Sequence, residues 1–177
     1  MITKPRETFR RELGQLLDQV LLLGSMVEDA VLVSVSMLKK RDLEGAHRII
    51  ERDQEINAKR FEIEDQALTL IALHQPVASD LRILGAILEV ATELERVGDY
   101  AKGIAKINIL MGDIPLLKPL IDIPFMAEKA MDMLRQGLDA FVSQDVEAAR
   151  AIPALDEEVD ALYNQVYREL VSYILDD

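Results

Sequence analysis

The sequence predicts an all-α fold of two tandem three-helix bundles, the second lacking its last helix, so that five long helices make up the chain. Three observations carry this reading. Apolar residues recur in threes and fours over long runs, the spacing of helices packed in a bundle. A stretch with three prolines and one glycine in thirteen residues, 112–124, divides the chain. The last helical segment repeats the second at an offset of 103 residues.

The first segment, from about Arg6 to Lys39, places Phe9, Leu13, Leu16, Val20, Leu23, Val27, Ala30, Ser34 and Met37 on one stripe. As a helix it spans about 50 Å at ~1.5 Å per residue. Thr3 or Pro5 suits its opening, and Lys39, Lys40 and Arg41 suit the negative end of its dipole. Asp42 then reads as an N-cap. The second segment carries Ala46, Ile49, Asp53, Ile56, Arg60, Ile63, Ala67 and Leu70 and is expected to stop near Leu73, because Pro76 restricts the residue before it. The third runs from Ser79 or Asp80 to about Met111, with the stripe Leu84, Ile87, Ala91, Leu94, Gly98, Ala101 and Ala105, whose small members permit close helix approach. A fourth helix is expected from about Phe125 to Ser143 and a fifth from Asp145 to Leu175. Residues 1–111 thus form a first bundle, 112–124 a linker and 125–177 an incomplete second bundle.

Asp42, Glu44, Ala46, Asp53, Glu55 and Ala58 match Asp145, Glu147, Ala149, Asp156, Glu158 and Ala161. The stripe maps in register onto Ala149, Ile152, Asp156, Val159, Tyr163, Val166, Leu170 and Tyr173. The same N-cap and the same stripe-breaking Asp argue for an internal duplication. No counterpart of the third helix precedes Asp176-Asp177. An apolar seam that includes Val159, Val166 and Leu170 is therefore expected, left open by a shortened chain or covered by another one. Pro153 stands where the first unit has Ile50, so a kink or a fresh helix start is expected there.

The balance of 20 basic against 32 acidic residues gives a net charge of −12. That argues against nucleic-acid binding and unaided docking on anionic lipid, and it suits cations or basic patches on other proteins. No cysteine is present, which excludes disulfides, thiolate metal sites and cysteine nucleophiles. The two histidines, His47 and His74, are far apart. Neither a targeting nor a membrane-spanning segment is expected, since the charge-free runs Gln19–Val27 and Ala30–Leu38 are each nine residues long.

The most informative cluster is Glu95-Arg96-Val97-Gly98-Asp99. On a helix Glu95 and Asp99 lie one turn apart, and their like charges call for a compensating cation. Hard oxygen ligands suit Mg²⁺, Ca²⁺, Mn²⁺ or iron, and zinc less so without histidine. The same spacing also describes a solvated acidic face with Arg96 and Lys102 nearby. Glu128 and Asp132 form a second such pair early in the fourth helix, where acidic residues also serve the dipole. Asp53 and Asp156 read as buried polar groups that fix register, each paired with Arg or a backbone donor. Glu44-x-x-His47 matches one half-site of a carboxylate di-iron bundle, a metal-storage or metalloenzyme alternative that needs two such units. His47 is expected to be exposed and His74 to cap carbonyls at the turn. The signatures of nucleotide-binding loops, zinc hydrolases and serine esterases are absent, which favours a protein without catalysis.

Gln75-Pro76-Val77-Ala78-Ser79-Asp80-Leu81-Arg82, followed by Leu94-Glu95-Arg96-Val97-Gly98-Asp99, resembles the signature of the PhoU family of phosphate-transport accessory and signalling proteins. Met26-Val27-Glu28 and Leu138-Asp139-Ala140-Phe141 support the resemblance, which spans essentially the whole chain. It implies two similar three-helix bundles, no catalysis and negative regulation of phosphate uptake and phosphate-starvation signalling. The implied partners are the ATPase subunit of a phosphate ABC transporter and a membrane sensor histidine kinase. The implied location is cytoplasmic, peripheral to the membrane through those partners, and a homodimer is expected.

The resemblance also implies a metal ion, iron, zinc, magnesium or manganese, with Glu95 and Asp99 as ligand candidates and Glu128 and Asp132 as weaker ones. Departures bear on that expectation. Tyr100 stands where many members have His, and Lys102-Gly103 where an acidic or amide pair is common, so weaker local metal affinity is expected. The missing sixth helix takes the second signature with it. A second metal site is then not expected, and oligomerisation must complete the second bundle or leave it frayed.

Overall fold

The computed structural model describes residues 5–175, and the expectations that rest on Thr3 and on Asp176-Asp177 lie outside them. The regular secondary structure of the described residues is all helical: α1 (Pro5–Lys40), α2 (Leu43–His74), α3 (Ser79–Met111), α4 (Asp122–Ser143), α5 (Val146–Ala151) and α6 (Pro153–Leu175). Helices α1, α2 and α3 pack pairwise into a bundle. Helix α4 lies on α1, and α5 and α6 lie on α4.

Helix α1 opens at Pro5, whose fixed φ suits the first helical position and whose missing N–H would have no partner there. Its buried face follows the heptad stripe through Phe9, Leu13, Leu16, Val20, Leu23 and Val27. Beyond that point burial shifts to Val31, Ser34 and Val35, and Ala30 is only half-buried. The shift has a cause: Val31 packs with Met131 of α4 and Ala101 of α3, so α1 is covered on two sides there. On length and composition alone, Arg6–Lys40 is apolar enough to cross a membrane, a property the short charge-free runs understate. In this fold it is the helix that α2, α3 and α4 all contact.

The main core joins Leu16, Leu23, Ile63, Leu84, Ile87 and Leu94, all fully buried, with Leu138 of α4. Each such side chain contributes about 1.5–3 kcal/mol by leaving water. Gly24 of α1 lies directly against Leu138, so α4 approaches closely at a point where α1 has no side chain.

The duplication is visible in the backbone. Arg41 (φ 57°) and Gln144 (φ 56°) both take the left-handed conformation that ends a helix. Asp42 N–H donates to the Met37 carbonyl at 3.0 Å, and Asp145 N–H to that of Ala140 at 2.9 Å. Asp42 Oδ1 accepts from Gly45 N–H at 2.7 Å, and Asp145 Oδ1 from Ala148 N–H at 3.0 Å. Every pair is related by the same offset of 103 residues.

Two boundaries depart from the sequence reading. Helix α4 starts at Asp122 instead of near Phe125, because Pro124 falls in its first turn, where backbone N–H groups have no intrahelical partner. Consequently Glu128 lies in the second turn. The fifth expected helix is two, α5 and α6, broken at Ile152-Pro153 as the proline requires. Ile152 itself keeps helical dihedrals, so the ladder is interrupted without reversal of the chain.

Candidate carboxylate site on α2 and α3

Gly98 brings α3 onto α2. A Cβ at that position would lie 3.1 and 3.2 Å from the methyl groups of Ile56, so the small residue sets the distance between the helices. With Ala101 and Ala105 also buried, the polar residues that border this stripe face α2 at short range.

There the decisive group is Asp53 of α2, only 6% exposed in the middle of an apolar face. Its Oδ2 accepts from Lys102 Nζ of α3 at 2.6 Å and from Asn57 Nδ2 at 3.2 Å. Lys102 Nζ also donates to Asp99 Oδ1 at 3.2 Å. The ammonium therefore joins two carboxylates from two helices. Its bond to Asp53 is the largest cause of a raised Lys102 pKa, the bond to Asp99 adds to it, and partial burial opposes both. Lys102 is thus protonated throughout the ordinary pH range. Beside the pair lies a cavity of about 10 Å³ lined by Met26, Ala30, Asp53, Ile56, Gly98 and Lys102. That is room for about one water molecule.

The expected ligand candidates fall into separate places. Glu95 is half-buried on α3 and Asp99 is exposed. Arg96 turns to Glu93, at 2.8 Å, which raises its pKa, and leaves Asp99 to Lys102. On α4, Glu128 is exposed, and Asp132 binds Arg135 and Gln136. Arg135 foremost, with Gln136, lowers the Asp132 pKa. Arg135 also reaches Glu28 of α1 at 3.3 Å, which ties α4 to the first bundle.

Among the described residues no group of three or more Asp, Glu or His side chains converges on one point. Asp99 is already neutralised by Lys102. These residues do not fit a metal ion enclosed by the chain. Nor do they form the four-carboxylate cluster with histidine of a metal-storage or metalloenzyme bundle: Glu44 pairs with Arg48 at 3.0 Å, and His47 is exposed.

Two further expectations are corrected. Asp156, the counterpart of Asp53, is exposed, because among the described residues only α4 and α5 pack on α6. His74 does not cap carbonyls; its Nε2 lies 2.9 Å from Glu12 Oε2 on α1, with its ring edge against Phe9. The Asp53–Lys102 bond is the feature that sequence spacing misses, since 49 residues separate the partners. Its only signals are a carboxylate that breaks an apolar stripe and a lysine one turn after Gly98.

A second polar junction joins the linker to α6: Lys118 binds Glu169 of α6 and Asp122 of α4, the latter at 3.2 Å. The Glu169 contact is the largest cause of the raised Lys118 pKa, and Lys118 in turn lowers that of Glu169. At the α2–α3 turn, Ala78 (φ 49°, ψ −118°) holds a conformation natural to glycine and strained for alanine.

Known proteins resemble the chain in sequence and in fold. The PhoU domain pattern matches it twice, at residues 20–107 and 123–177. The phosphate-specific transport system accessory protein PhoU homologue of Aquifex aeolicus is 36% identical over 94% of this chain and 76% of its own length. The homologue from Deinococcus radiodurans is 34% identical over 97% of this chain and 81% of its own. The crystal structure of the phosphate transport system regulatory protein PhoU from Streptococcus pneumoniae superposes with a TM-score of 0.86 at 31% identity, covering 96% of this chain and 80% of that one. The doubled pattern coincides with the doubled turn at Arg41-Asp42 and Gln144-Asp145, and the chain belongs to the PhoU family.

Proposed function

We propose that the chain is a negative regulator of phosphate uptake and phosphate-starvation signalling, acting without catalysis as an adaptor. One face engages the ATPase subunit of a phosphate ABC transporter, and another engages a sensor histidine kinase that it holds in its inhibitory state when phosphate is plentiful. The observation that carries the reading is the PhoU pattern in both halves, together with relatives named as accessory proteins of phosphate-specific transport. The charge of −12 supports it further, since an acidic surface suits basic patches on partner proteins and repels nucleic acid. The same reading places the protein in the cytoplasm, at the membrane only through its partners. It also takes the exposed Tyr163, Tyr167 and Leu170 of α6 as the face through which two copies associate. No metal is part of this proposal, because the donor set at Glu95 and Asp99 is incomplete.

Deleting the gene tests it. Phosphate-starvation genes should be derepressed in high phosphate and silenced again by the intact gene. Unchanged expression would contradict the regulatory role. Failure of the purified protein to retain either the transporter ATPase or the kinase would contradict the adaptor.

A further inference from the structure

We propose that the Lys102 ammonium is a built-in cation, standing where a divalent ion would otherwise balance Asp53 and Asp99, so that α2 and α3 are held together without metal. The geometry is that of a shared cation. Two carboxylates from different helices meet one nitrogen, at 2.6 and 3.2 Å, and Asn57 supplies a further donor to the same Asp53 oxygen. Asp53 is buried, so it needs a charge-balancing partner wherever the fold is intact. The neighbouring cavity of about 10 Å³ admits one water and not a second cation with its own hydration shell. A metal can reach Asp53 only if Lys102 leaves.

The lysine comes from within the same unit. It follows Asp99 by three residues on α3, so the turn of helix that presents one carboxylate also presents the cation. Such an arrangement makes the α2–α3 contact independent of metal supply. It also makes the side chain at position 102 the determinant of whether this face accepts a metal at all.

The test uses the full chain, stripped with EDTA and titrated with Mn²⁺, with binding read by electron paramagnetic resonance and stability by thermal unfolding. The native protein should melt at the same temperature with EDTA or Mn²⁺ and show no uptake that depends on Asp53 or Asp99. K102Q, which removes the charge and keeps a polar side chain one atom shorter, should melt lower without metal. It should recover with Mn²⁺ and bind one ion about tenfold or more tighter than the native chain, within the range that neighbouring groups exert on metal affinity. Adding D99N to K102Q should abolish that gain. Stoichiometric Mn²⁺ on the native protein, lost in D99N, would overturn the proposal. A K102Q protein that folds and gains no Mn²⁺ site would overturn it as well. Should K102Q fold poorly, K102A titrated in the same way decides: refolding driven by Mn²⁺ supports the proposal, and its absence refutes it.

Discussion

The two repeats carry one pattern and bury it differently. In the first, Ile49, Asp53, Ile56, Ile63, Ala67 and Leu70 of α2 are all buried beneath α1 and α3. Their counterparts are Ile152, Asp156, Val159, Val166, Leu170 and Tyr173, of which only Val166 is buried. Among the helices of the described residues, α6 contacts only α4 and α5, whereas α2 is held from two sides by α1 and α3. The N-cap and the turn, which are local, are reproduced almost atom for atom. The core and the buried charge, which need a third helix, are not. Local sequence therefore sets where a helix begins, and what covers a face sets whether its residues act as core.

The contrast can be broken by paired substitutions. Ile63→Ala should lower the unfolding free energy by about 2–5 kcal/mol, because it opens a cavity in a closed core. Its counterpart Val166→Ala should remove about 1–2 kcal/mol and loosen only α4–α6. Urea titration of both variants checks the difference, and equal losses would contradict it. Asp53→Ala leaves Lys102 without its buried partner and should cost about 1–3 kcal/mol, less than a fully enclosed ion pair because water reaches the ammonium. Asp156→Ala, at an exposed site, should change stability by less than about 0.5 kcal/mol.

A pH series sharpens the comparison at the Lys118–Glu169 junction. Glu169 titrates below its ordinary 4.5, so the stability it adds is present above that value and is lost as pH falls through the lowered one. Lys118 titrates above 10.5, so its share is present below that value and is lost as pH rises through the raised one. Stability, read at each pH from urea titrations followed by circular dichroism, should be flat between these limits where Lys118 and Glu169 are concerned and should fall beyond each. Glu169→Gln should remove part of the acid limb. The smallest effect belongs to Pro153→Ala. It should join α5 to α6 and raise helicity by circular dichroism, with a stability change under about 1 kcal/mol, since the regained hydrogen bond is offset by a more flexible unfolded chain.

Most of the fold was legible because its punctuation is chemical. Asp42, Pro76 and Gly112 bound α2 and α3 to within a residue, and Pro153 announces its own break. The start of α4 was less legible because a proline in a first turn looks the same as one in a linker. The α6 stripe has the right period for a core, yet periodicity does not say which helices pack on it. At the site, Asp99 and Lys102 are close in sequence and were readable as neighbours. Asp53 was readable only as a polar residue in need of a partner. The family was legible from Gln75–Arg82 with Leu94–Asp99, a combination far more specific than two carboxylates four residues apart.

Hydrogen exchange on α2 and α6 in the same sample tests the central claim most directly, at a concentration where sedimentation shows a monomer. Amides from Ile56 to Ala67 should exchange only through global unfolding. Those from Val159 to Leu170 should exchange through local opening, at least about a hundredfold faster. Equal protection of the two helices would contradict the account.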